Sequence, residues 1–224
     1  MDPGAQLYFA TAAFIATHFV TSTPLRAIVV RTLGEKRYLG LYSLAAFATL
    51  GWMIWAYGKA VPEPQWAGLR LTPAILMPFA FVLLACGLLS RNPTAVGAGK
   101  LLADAEPARG IIRVTRHPMM WGFMLWSLAH ILARGERMSS VFFGGFLAFA
   151  ALGALLMDQR KAKVHGADWQ RFAAVTSYVP FGAILRGRNR FDAREIGWRN
   201  PAIGLALYAI FFAAHRWMFG ASPC

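Results

Sequence analysis

Six apolar stretches, each long enough to cross a bilayer, recur along the chain and are separated by segments that carry its charge. The first runs from about Ala5 into the twenties, where Pro24 in TSTPLR kinks or stops it. The second covers about Tyr38 to Tyr57, and the proline-rich connector VPEPQW after it cannot be regular helix throughout. The third spans about Pro73 to Leu89 and gives way to an irregular loop, RNPTAVGAGKLLADAEPARG. The fourth, Thr115 to Arg134, opens on an Arg-His-Pro turn and has no charged residue from Met119 to Ala133. Pro118 sits there at a first helical position, where the N–H it lacks would be unpaired anyway. The fifth covers about Met138 to Met157, with Ser140, Gly144 and Ala148 spaced as a small-residue row for close helix packing. Residues 158–199 are too charged to span and read as an amphipathic helix lying at the interface. The sixth runs from about Pro201 to Phe219. The pattern predicts an all-α fold: a polytopic transmembrane helical bundle of about six spans, one domain over residues 1–224.

Composition agrees. Apolar residues make up 57% of the 224 and charged residues 15%, where a soluble domain carries about 25% charge. Mean hydropathy is +0.45. A net charge of +13 invites a nucleic-acid reading, but the basic residues flank apolar spans and no nucleic-acid motif is present. Their partner is the lipid bilayer and its anionic headgroups. Lys and Arg number four, five and nine in the loops after spans one, three and five, against five on the opposite side. Positive residues concentrate inside, so both termini are expected on the non-cytoplasmic side of a bacterial inner membrane. MDPGAQ leads straight into Leu7 without a basic region, so the first span is expected to be retained. Cys86 falls within a span and Cys224 ends the sequence, so no disulfide is expected. A homo-oligomer is compatible with such a chain.

Histidines supply the candidate chemistry. His130 lies inside an apolar segment, where an ionisable group is costly and marks a functional site by default. The alternative is a neutral imidazole hydrogen-bonded between packed helices. His130 lies about 20 Å beyond the Arg-His-Pro turn at 1.5 Å per residue. His215 falls at comparable depth in the outer half, while His18 falls nearer the midplane or the inner half. Two axial histidines on one metal need nitrogens about 4 Å apart, from metal–nitrogen bonds near 2 Å. Depth therefore favours His130 with His215; pairing with His18 needs tilt, or a first span extending past Pro24. Phe123, Trp126 and Ser127 share the helical face of His130. His117 either caps the helix start, binds a phosphate headgroup at its positive end, or holds a cofactor. His165 reads as surface, Met119, Met120 and Met124 as packing, and Asp104 and Glu106 have no matching carboxylates for acid–base work.

The segments ATHFVTSTPLR, RVTRHPMMWGFMLWSLAHILARGE, KVHGADWQRFAAVTSYVPFGAILRGR and HRWMFGASP together resemble the NnrU membrane-protein family, which shares its domain with plant 15-cis-ζ-carotene isomerases. The resemblance implies haem b, with His18 and His130 as ligands and catalytic residues; depth along the spans keeps His215 as a rival partner. It implies redox-gated cis–trans isomerisation of a membrane-dissolved polyene, or a role linked to nitric oxide and denitrification. Ser127 stands where the isomerase carries a cysteine, so no soft thiolate ligand is available there. Trp126 would wall such a site, and Arg26, Arg116 and Arg134 are candidates to pair with haem propionates. A more distant similarity links the RHP turn and HGADWQRFAAVTSYVPF to isoprenylcysteine carboxyl methyltransferases. It implies S-adenosylmethionine held by His117 and Arg116 beside the Trp169–Tyr178 segment. That family's acidic pair is reduced here to Asp158 followed by QRK. A non-catalytic membrane assembly factor is the third class.

Overall fold

The computed structural model describes residues 2–20, 23–95 and 97–223, and the regular elements among them are helical. They are α1 (Pro3–Val20), α2 (Pro24–Leu33), α3 (Glu35–Lys59), α4 (Thr72–Leu89), a 3-10 turn (Gly99–Ala103), α5 (Ile111–Val114), α6 (Pro118–Arg134), α7 (Arg137–Val175), α8 (Gly182–Leu185), α9 (Ala193–Ile196) and α10 (Arg199–Phe219).

Four of these, α3, α4, α7 and α10, are long and apolar enough to cross a membrane. Their outer faces leave Leu44, Phe47, Phe79 and Leu88 largely exposed. Such faces suit hydrocarbon rather than water. α1 and α6 have 18 and 17 residues and pack against this frame. α1 packs against α3 and α7, α6 against α4 and α7, and α10 along α4.

One core joins Leu7 and Phe14 of α1, Met53 and Ala56 of α3, and Met138, Phe142 and Phe143 of α7. A second lies at one end of the bundle, where Leu102, Ile111, Ile112, Trp169 and Phe172 close a polar cap over Cys86. Cys86 is a free, buried thiol, and Cys224 lies outside the described residues.

Between α3 and α4 the connector is irregular, as VPEPQW requires. Glycine lets it lie against the α6–α7 turn. Gly135 ends α6 in the left-handed region at φ 63°, and its carbonyl accepts from Gln65 N at 2.8 Å. Gly68 passes so close to the Ala133 carbonyl that a Cβ would collide with it.

Three expectations need correction. The chain after α1 is not a loop: α2 begins at Pro24, in a first-turn position that tolerates proline, and α3 starts at Glu35 rather than Tyr38. The close-packed small residue of α7 is Gly145, not Gly144. A Cβ on Gly145 would meet Thr11 Cγ2 at 2.6 Å, whereas one on Gly144 would meet nothing within 4 Å. Finally, no amphipathic helix lies separately over 158–199. α7 continues past Met157 to Val175 and turns once, at Gly166 (φ 47°, ψ −117°). Gln, Arg, Lys and Ala are good helix formers, so the apolar span has no reason to stop there. Residues 176–198 then fold back onto the cap.

Candidate functional site

The structure gathers the singled-out residues at two places. At one, the His130 ring on α6 faces His215 on α10, with centroids 6.5 Å apart and planes 25° from parallel. Phe143 stacks on His130 at 4.7 Å, and Trp126 packs at 5.3 Å from it. His130 Nδ1 lies 2.8 Å from the Trp126 carbonyl, and His215 Nδ1 lies 2.8 Å from that of Ala221. A carbonyl only accepts, so each Nδ1 carries a proton, which in a neutral ring leaves the lone pair on Nε2. Ser127, one turn before His130, is fully buried with a hydroxyl that finds no hydrogen-bond partner among the described residues.

These residues fit a haem. Two imidazoles on one iron, with bonds near 2 Å, place their centroids about 6 Å apart, and haem iron takes such axial side chains. Nδ1–H bound to a backbone carbonyl is the arrangement that orients a ligating imidazole. His18 is built alike, with Nδ1 2.8 Å from the Phe14 carbonyl, but it packs on Phe149 at 4.6 Å. Phe149 lies six residues beyond Phe143 on α7, about 9 Å along the helix. His130 is thus level with His215 and offset from His18, as depth along the spans predicts.

Beside the pair opens a cleft of about 300 Å³, lined by Arg70, Ala133, Arg134, Glu136, Ser222 and Pro223. Arg134 donates to Glu136 at 3.0 Å. Arg26 and Arg116 are elsewhere: Arg26 pairs with Glu35 at 2.7 Å, and Arg116 belongs to the polar cap.

The second gathering is that cap. Asp158 of α7 takes His117 Nε2 on one oxygen at 2.6 Å and Arg116 Nε on the other at 2.8 Å. The Arg116 guanidinium also lies 5.8 Å from the Trp169 ring centroid. The Tyr178 carbonyl accepts from Thr115 Oγ1 at 2.7 Å and from Trp121 Nε1 at 2.8 Å. Thus the RHP turn is stitched to the far end of α7 and the strap behind it. His117 occupies the N-cap position of α6 but makes no side-chain cap there, and its side chain is only 1% exposed. It neither caps the helix nor reaches a lipid headgroup. The reason is Asp158, which gives a buried imidazole its partner.

A second carboxylate closes the cap. Glu195 holds Arg113 through Nε at 2.7 Å and Nη2 at 2.8 Å, and accepts from Gly110 N at 2.9 Å. The guanidinium beside Glu195 holds its carboxyl down at about 2, and the same pairing raises Arg113. Lys161, also buried, donates to the Pro93 carbonyl at 2.8 Å. Asp104 and Glu106 are surface ion-pair partners of Arg91 and Arg109. His165 is half-buried rather than exposed, its ring over Gly99.

The NnrU protein family profile matches residues 6–223. The chain belongs to the NnrU family. This NnrU chain is 38% identical over 116 residues to the chloroplastic 15-cis-zeta-carotene isomerase of Arabidopsis thaliana, covering 50% of the chain and 32% of that relative. It is 31% identical over 116 residues to the enzyme of that name from Zea mays, with 50% and 32% covered. The match therefore takes in about a third of the length of these curated relatives. No solved structure matches it.

Glu195 of this NnrU chain escaped sequence reasoning, reading as one acid among arginines. Asp158 stands out in the sequence only as the remnant of an acidic pair, not as the partner of His117 and Arg116. The available signal for Asp158 was its place as the first charged residue after the fifth span, at the bundle end that carries the RHP turn.

Proposed function

We propose that this chain binds haem b within the membrane and isomerises a cis double bond of a hydrophobic polyene of the carotene class. The observation that carries this reading is the His130–His215 pair: two imidazoles in an apolar interior, 6.5 Å apart, each oriented by a backbone carbonyl. The isomerase names of the relatives supply the reaction class. His130 would hold the iron together with His215, and with His18 in place of His215 only if α1 tilts toward α6. Ser127 offers no thiolate, so imidazole nitrogens would be the donors these residues supply to the iron. When bound, haem supplies a redox-active iron against which a double bond can rotate without net oxidation. The chain's own part is to fix both imidazoles, exclude water with Trp126 and Phe143, and present an aromatic wall to an apolar substrate.

In the bilayer, α1 and α6 join the four longer helices as spans. The basic loops then share one side, and the ends of the chain lie on the other. A bacterial cytoplasmic membrane is the location this charge pattern favours.

An absorption spectrum of the detergent-purified protein, oxidised and reduced, tests the reading. A Soret band that weakens in His130→Ala, with conversion of a cis-polyene lost alongside, is the expected result. A haem protein that leaves polyenes untouched would favour a nitrogen-oxide-linked role instead. A colourless protein whose activity survives His130→Leu would end the haem reading. S-adenosylmethionine binding lost in His117→Ala would favour the methyltransferase, and neither ligand would leave an assembly role.

A further inference from the structure

We propose that Arg70 and Arg134 form a clamp for the two propionate carboxylates of a haem, seated in the cleft beside the histidine pair. The inference rests on the haem reading above and deepens it by assigning the site its charged end. A porphyrin gripped by imidazoles in hydrocarbon still carries two carboxylates, and burying them without cationic partners is prohibitive. They must leave toward water at the nearest polar opening.

The cleft is that opening. Arg134 lies four residues after His130, on the same helical face and about 6 Å further along the axis. Ser222 of the cleft follows directly on Ala221, whose carbonyl orients His215. One opening of about 300 Å³ is therefore lined by a residue one turn beyond His130 and by the neighbour of the residue that orients His215.

Charge points the same way. The Arg70 guanidinium has no ion pair or hydrogen bond among the described residues, although it lines the cleft. The Arg134–Glu136 pair is partly exposed, at 39% and 20%, and such pairs contribute little, so Arg134 can turn to a better acceptor. Glu136 would not be stranded, because Ser139 Oγ donates to it at 2.9 Å. Two guanidiniums against one engaged carboxylate leave the cleft positive. Planar donor forks also match carboxylates in two-point contacts.

The test compares haem b with its dimethyl ester, whose propionates are capped, by Soret titration of the full chain in detergent. The wild type should bind the free acid roughly tenfold to a hundredfold more tightly, as charge-assisted hydrogen bonds imply. Arg70→Gln and Arg134→Gln should each narrow that gap, and the double variant should close it. Affinity for the ester should stay unchanged throughout, which shows that the variants are folded. Equal affinity of the wild type for the two porphyrins would overturn the clamp while leaving haem binding intact. A gap that persists in the double variant would do the same. No Soret band with either porphyrin would overturn the clamp and the haem reading together.

Discussion

His130 and His215 approach each other at 6.5 Å although their helices pack chiefly elsewhere: α10 lies along α4, and α4 separately along α6. Two imidazoles brought level by helices that each lean on a third suit a shared ligand better than a direct interhelical hydrogen bond. His215→Ala should therefore weaken the Soret band as much as His130→Ala does, while His18→Ala leaves it near the wild-type intensity. A band lost in His18→Ala and kept in His215→Ala would instead place α1 against α6 in the loaded protein.

Asp158 has two cationic or hydrogen-bonding partners and little solvent, its side chain being 16% exposed. Asp158→Asn keeps the shape and removes the charge, leaving Arg116 half-buried and without its counter-ion. Breaking a buried pair in this way costs about 3–5 kcal/mol. Thermal unfolding in detergent should show it. Adding His117→Ala to Asp158→Asn should cost less than the two single losses together, because the residues share one interaction.

The Glu195–Arg113 contact gives the cap a defined acid sensitivity. Glu195 ionises at about 2 in the folded chain against 4.5 ordinarily, so the folded state favours the carboxylate. Its stabilising contribution is complete above pH 4.5 and is lost as pH falls toward 2. Hydrogen exchange of residues 110–114 and 193–196 should accelerate over that window in the wild type. Glu195→Gln should flatten the response and cost about 1–3 kcal/mol at neutral pH, the usual worth of hydrogen bonds to charged groups. An unchanged acid response in Glu195→Gln would assign the sensitivity to another group.

Glycine substitutions read the packing seams. A Cβ on Gly204 of α10 would meet the Phe81 carbonyl oxygen at 2.7 Å and Val82 Cα at 2.8 Å, both backbone of α4. Gly204→Ala should separate α10 from α4 and destabilise by about 1–3 kcal/mol, as overpacking does. Gly144→Ala meets nothing within 4 Å and should be neutral or stabilising by up to about 1 kcal/mol through helix propensity. Melting temperatures of the two variants check this; a larger loss at Gly144 would restore the small-residue row that the sequence suggested.

Hydropathy by itself located the apolar stretches that form α1, α3, α4, α6, the first part of α7 and α10, showed that VPEPQW is irregular, and put His130 and His215 level, but not the helicity of α2 or of the polar end of α7. These follow because each residue's transfer cost between lipid and water is local, and the helical rise converts sequence position into depth. Only the tertiary structure decided that Asp158 meets His117, that Gly145 rather than Gly144 faces α1, and that Arg70 and Arg134 share a cleft. Those facts depend on the rotation of each helix about its axis and on which helices are neighbours. Both are set by packing contacts between residues far apart in sequence.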